Sequence, residues 1–104
     1  MSSTGLTEAD LDVIVTAVAA YESVEDLVLF GSRAKGSYKR GSDVDLALKG
    51  DALTYDDVVQ IEFELNENRP LPYKFDVVDY QRLDNPELKS HIDRVGVNLY
   101  HREA

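Results

Sequence analysis

The run Asp43-Val44-Asp45-Leu46-Ala47-Leu48 constrains this chain more than any other stretch. Its apolar residues recur with period two, so Val44, Leu46 and Leu48 share one face while Asp43, Asp45 and Ala47 share the other. That is the pattern of a half-buried strand. A second, buried strand is expected upstream, where the short apolar run Leu27-Val28-Leu29-Phe30 stops at Gly31. The connection from Gly31 to Ser42 is rich in Gly, Ser, Lys and Arg, and Arg33-Ala34-Lys35 favours a short helix within it.

The remaining elements follow from caps and periodicity. Thr7-Glu8-Ala9-Asp10 has the form of a capped helix start, with Leu11, Ile14, Val15, Val18 and Tyr21 repeating at helical spacing behind it. Thr54-Tyr55-Asp56-Asp57 is a second such start, for a helix that turns Val58, Ile61 and Leu65 inward and breaks at Asn66 to Pro72. A strand is expected over Tyr73–Val78. Asn85-Pro86 then combines an N-cap with proline at the first helical position, followed by an apolar stripe of Leu88, Ile92 and Val95. Gly96 suits the end of that helix, and Val97 to Tyr100 suits a last short strand. The order predicts an α/β (α+β) fold: one compact domain with a mixed β-sheet flanked by helices. At 104 residues there is room for one domain. Residues 1–7 are expected to be a disordered N-terminus and 8–104 the folded domain.

Charge narrows the function. The 20 acidic residues outnumber the 11 basic ones, for a net charge of −9. Such a surface repels phosphate backbones, so direct nucleic-acid binding is not expected, and a basic protein partner or a small substrate arriving with metal ions fits better. The acids are scattered rather than blocked, so many of them serve only solubility. There are no cysteines, which excludes disulfides and thiolate metal sites. No apolar run approaches the roughly 18 residues of a membrane span. Residues 1–7 lack the basic start and apolar stretch of a signal peptide, so a cytoplasmic location with no membrane association is expected.

The chemistry concentrates between residues 31 and 46. Gly31 can adopt backbone angles closed to other residues and lets a ligand approach the main chain. A helix starting beside it would aim N–H groups at an anion, and Ser32 adds a hydroxyl, a combination that suits a triphosphate. Asp43 and Asp45 project from one face of their strand and repel each other unless a cation intervenes. Hard divalent cations take such oxygen ligands and fill their other positions with water and substrate phosphates. Two such ions can clamp the attacking and leaving oxygens of a displacement at phosphorus. Asp76, in the middle of the expected strand 73–78, is the best third acid; Asp79 would face the other way. Singly, each feature has an ordinary explanation: a turn glycine, two solvated acids at a strand end, an edge-strand acid. Their order is what carries weight.

That order, Gly31-Ser32, a ten-residue spacer, Asp43-Val44-Asp45, resembles the signature of the DNA polymerase β-like nucleotidyltransferase superfamily, and Ala34, Gly36, Ser42 and Leu46 fit its fuller form. The small size and the closing pattern Pro86-Glu87-Leu88 … Val95-Gly96-Val97 … Leu99-Tyr100 are similar to the minimal nucleotidyltransferases that act as antitoxins beside small helical HEPN-family toxins. The resemblance implies a metal-dependent enzyme that transfers AMP from ATP to a tyrosine of a cognate HEPN ribonuclease. It implies Asp43, Asp45 and Asp76 as catalytic metal ligands for two magnesium ions, with manganese as an alternative. Asp76 would also help deprotonate the attacking hydroxyl. Gly31 and Ser32 would hold the β and γ phosphates, with Gly36 and Ser42 in the same nucleotide-binding loop. Arg33 and Lys35 could add positive charge there, although a solvated surface is the commoner fate of such charges. Two other readings stand beside this one: transfer to a small hydroxylated molecule such as an aminoglycoside, and an antitoxin acting by contact with little catalysis. His91 and His101 read as surface residues, and Tyr38 as a core or rim residue that could also stack on a base.

Overall fold

A computed structural model describes residues 4–39, 41–69 and 71–103. The elements follow the expected order: α1 (Glu8–Ala19), β1 (Asp26–Phe30), α2 (Gly31–Lys35), β2 (Val44–Lys49), α3 (Tyr55–Phe63), β3 (Phe75–Asp79), α4 (Pro86–Val95) and β4 (Val97–His101). Both threonine caps form complete boxes. The Thr7 hydroxyl accepts from the Asp10 N–H at 3.0 Å while the Asp10 carboxylate accepts from the Thr7 N–H at 3.1 Å. Thr54 and Asp57 do the same at 3.1 and 3.2 Å. Each box satisfies two N–H groups that the first helical turn leaves without partners.

The strands form one mixed sheet in the order β3-β2-β1-β4. β1 pairs antiparallel with both β2 and β4, and β2 runs parallel to β3. Val44, Leu46 and Leu48 of β2 join Leu27 and Leu29 of β1 in a core completed by Ile14 and Val18 of α1 and Ile61 of α3. The opposite face is smaller: Val28, Phe30 and Ala47 pack against Ile92 of α4. The alternation in β2 thus assigns the helices to the two faces, α1 and α3 to one and α4 to the other. Among the described residues no helix is long and apolar enough to cross a membrane.

Four expectations shift in detail. The helix after Thr54 does not break at Asn66 but widens into a π-helical turn over Glu64–Asn68. Asn66 then clamps β3, donating to Phe75 O at 3.0 Å and accepting from Phe75 N–H at 2.8 Å. β3 therefore begins at Phe75 rather than Tyr73. Gly96 ends α4 with φ −60°, not in the left-handed region. Glycine is needed there for space instead, because a Cβ would overlap the Ile92 carbonyl and a Val28 methyl. Residues 1–3 lie outside the described residues, but Thr4 and Leu6 are buried, so the packed body of the domain reaches further toward the N-terminus than Glu8.

The chain's end is tied back to its start. The Arg102 guanidinium donates to Ala19 O at 2.8 Å, Tyr21 O at 3.1 Å and Val24 O at 3.1 Å, serving the last carbonyl of α1 and two in the turn between α1 and β1. Next to it, His101 Nδ1 lies 2.7 Å from Asp26 Oδ1 and joins β4 to β1. The hydrogen bond to Asp26, with its charge, raises the His101 pKa above the ordinary 6.5. Burial works against the Asp26 charge, but hydrogen bonds from His101 and Asn98 outweigh it and bring its pKa below the ordinary 3.8. The raised imidazole stabilises the fold fully below its unfolded value and loses that contribution as pH rises through the folded one. The lowered carboxylate loses its contribution as pH falls through its folded value. The difference in melting temperature between wild type and Asp26→Asn should therefore be largest near about pH 5–6 and shrink toward about pH 8. It should be small throughout, because the pair is solvent-screened. An NMR titration of His101 should give a midpoint above that of the variant; equal midpoints would remove the pair.

Candidate active site

The sheet register brings the three predicted acids together. Phe30 of β1 pairs with Asp45 of β2, and Asp45 pairs with Asp76 of β3, so one level of the sheet runs across all three strands. Side chains directly opposite in adjacent strands stand side by side on one face. Asp43 lies just ahead of β2, two residues before Asp45, near enough for its charge to act on that carboxylate. Asp43 is exposed, while Asp45 and Asp76 are half-buried. Asp79, three residues beyond Asp76, turns away: it accepts from the Gln81 N–H at 3.1 Å and pairs with Arg82 at 2.7 Å.

The strand β1 ends against this row. Gly31 has φ +78°, and a Cβ on it would overlap the Asp45 carboxylate. Glycine is thus required twice, for the left-handed backbone and for the close approach of Asp45. Burial, then the charges of Asp76 and Asp43, raise the Asp45 pKa above the ordinary 3.8. Asp45 therefore lies within electrostatic reach of both other acids. Among the described residues no three histidine, aspartate or glutamate side chains form a ready-made metal cage. Magnesium does not need one: it is commonly held by one or two carboxylates, with water and substrate phosphates completing its shell. The like-charged, oxygen-only donor set fits such an ion.

The other residues of the nucleotide-binding expectation separate into two groups. Ser32 follows Gly31 in the first turn of α2, beside the acids, where N–H groups lack helical acceptors. Lys35 is exposed at the end of α2. Gly36 caps that end with φ +80°, its N–H donating to Arg33 O at 3.3 Å, so it turns the chain at the far end of α2 from Gly31. The Ser42 hydroxyl accepts from the Lys39 N–H at 2.7 Å.

Arg33 corrects its expectation outright. It is 3% exposed, and its donors are taken by main-chain carbonyls: Nη1 by Thr4 O at 2.8 Å, Nε and Nη2 by Ser42 O at 3.2 and 3.0 Å. Its guanidinium lies between the Tyr38 and Tyr73 rings, 5.0 and 4.8 Å from their centroids. A buried cation survives only with such compensation. Arg33 is therefore a staple that ties the loop's last residue before Asp43 back to α2, not a phosphate ligand. Tyr38, read as a residue that could stack on a base, lays its ring on this staple instead.

One contact was not foreseen. His91, read as a surface residue, is half-buried beside the site: its Nε2 accepts from the Gly31 N–H at 3.2 Å, and its ring meets Phe30 edge-on at 6.1 Å. Nothing in the spacing of the sequence marks it, because its partner is 60 positions away. A cleft of about 280 Å³ lies between α3 and the far end of β3, lined by residues such as Tyr55, Val58, Val77 and Leu83, and contains none of the three acids.

The strand-glycine-serine turn and the row of acids opposite it agree with what a comparison of the whole chain finds: residues 9–104 match the family model described as polymerase β, nucleotidyltransferase. The chain belongs to the polymerase β nucleotidyltransferase family. No curated protein sequence matches this family member at a significant level. Solved structures match it in fold. One, described as a toxin–antitoxin with AMP-PNP, superposes with a TM-score of 0.75 at 22% identity, over 90% of this chain and 75% of that one. A second, the tri-AMPylated Shewanella oneidensis HEPN toxin in complex with MNT antitoxin, gives 0.67 at 19% identity, over 88% and 70%. A third, described as a nucleotidyltransferase from Sulfolobus solfataricus, gives 0.55 at 18%, over 88% and 77%.

The raised Asp45 pKa makes a test of the site that needs no substrate. A carboxylate whose folded pKa is raised favours the fold below its unfolded value and disfavours it as pH rises through the folded one. At neutral pH, with chelator present, Asp45→Asn should therefore melt at a higher temperature than wild type, and the gain should vanish near about pH 3, where both carry a neutral group. A variant that melts lower at both pH values would contradict the crowding of acids.

Proposed function

We propose that this chain is a metal-dependent adenylyltransferase that moves AMP from ATP to a tyrosine of a HEPN-family toxin and so neutralises it. The observation that carries the reading is the contact of Gly31 with Asp45 at the level of Asp76: a turn suited to phosphates against a row of acids suited to divalent ions. The family supports nucleotidyl transfer in general. The likeness to a toxin–antitoxin structure holding AMP-PNP, and to one with a tri-AMPylated HEPN toxin, supports ATP and a protein acceptor.

Asp43 and Asp45 hold the magnesium ions in this scheme, and Asp76 completes the site. The ions, when bound, neutralise charge on the triphosphate and on the departing pyrophosphate. Gly31 leaves room for the phosphates against β1, and Ser32 donates to them. The acceptor tyrosine oxygen attacks the α-phosphorus as the bond from that phosphorus to the bridging oxygen breaks. The tyrosine proton passes to Asp76 and pyrophosphate leaves.

Two measurements test this. Three acids repel a triphosphate unless cations intervene, so calorimetry should show clear ATP binding with magnesium and little with chelator. Equal affinity in both would reject the metal role. Incubation of a co-expressed HEPN-family partner with ATP and magnesium should add one or more AMP masses to a tyrosine, seen by mass spectrometry. Asp43→Asn, Asp45→Asn and Asp76→Asn should each slow this by roughly a hundredfold or more, the scale of losing a group that meets developing charge. Full neutralisation by the triple variant would leave an antitoxin that acts by contact alone.

A further inference from the structure

The Gly31 turn depends on a single peptide orientation. Gly31 sits at φ +78° with Asp45 against its Cα, and glycine tolerates many other angles, so its own chemistry does not select this one. The Phe30–Gly31 peptide leaves the sheet at this point, and its N–H needs a new acceptor. The acceptor comes from α4: His91 Nε2, at 3.2 Å. An imidazole nitrogen that accepts must carry a lone pair, so this hydrogen bond requires the tautomer with its proton on Nδ1. The ring is itself held. It meets Phe30 edge-on at 6.1 Å and 79°, and the next residue, Ile92, is 2% exposed in the core with Val28 and Ala47. On the other side of α4, Asp93 accepts from the Tyr80 hydroxyl at 2.7 Å, which anchors the helix again.

We propose that His91 is a positioning residue for nucleotide binding. Its Nε2 fixes the Phe30–Gly31 peptide, and thereby points Ser32 at the phosphates and keeps Gly31 seated on Asp45. His91 touches neither substrate nor metal; it acts through Gly31. The inference rests on the reading of Gly31 and Ser32 as the phosphate cradle.

Two substitutions separate the hydrogen bond from mere packing. His91→Gln keeps an acceptor at similar reach and loses the ring. His91→Phe keeps the ring against Phe30 and loses the acceptor. Calorimetry of the whole chain with ATP and magnesium should find His91→Gln within about twofold of wild type and His91→Phe weaker by roughly tenfold, the scale of one unmet polar group. His91→Phe should still melt within a few degrees of wild type. The reverse ordering, equal losses, or no loss in either variant would overturn the proposal. An independent readout needs no nucleotide: ¹⁵N NMR of the free protein should show a coupling across the hydrogen bond between Gly31 N and His91 Nε2, and a proton on Nδ1. Absence of that coupling would also overturn it. If wild type shows the coupling but binds no ATP, the nucleotidyltransferase reading fails while the His91–Gly31 contact stands.

Discussion

Everything at this site depends on one level of the sheet, where Phe30, Asp45 and Asp76 lie side by side on three strands. Because side chains alternate along a strand, a slip of one residue in either pairing would turn Asp45 into the core and Leu46 out of it. The apolar face of β2 forbids that slip: Val44, Leu46 and Leu48 are fully buried under α1 and α3. The core thus holds the acids in register, and their mutual repulsion is the local cost. A residue pushed above its ordinary pKa, as Asp45 is, marks where the fold tolerates an unfavourable group. Such sites are where catalytic or metal-binding roles concentrate.

Around that row the protein has built support from distant parts of the chain. Arg33 joins the N-terminal segment, α2 and the end of the loop through carbonyls of Thr4 and Ser42. Its position between two tyrosine rings spreads the burial of one cation over aromatic faces and three charge-assisted hydrogen bonds. The loop therefore enters β2 from a fixed point immediately before Asp43. On the other side, α4 covers the small face of the sheet and reaches Gly31 through His91. The turn is braced from both ends, by Arg33 behind it and His91 in front.

The acidic surface bears on how a nucleotide would reach the site. A net charge of −9 would hinder a bare triphosphate, so the proposed activity calls for divalent cations at the row of acids.

The residues whose chemistry is local were legible in the sequence. The period-two pattern of β2 set the two faces, the threonine boxes set two helix starts, and Gly31-Ser32 with Asp43-x-Asp45 set the family. Each of these rests on neighbours within about a dozen positions. Tertiary structure alone decided the rest. A sequence window shows that Arg33 is a cation in a basic loop, but not that carbonyls 29 and 9 positions away take its protons. It shows a histidine on a helix, but not that α4 lays it against a glycine 60 positions earlier. It shows Asp76 on a strand, but only the parallel pairing of β2 with β3 places it beside Asp45. Periodicity reports which way a side chain faces; what it faces is set by how the core packs, and that is a property of the whole chain.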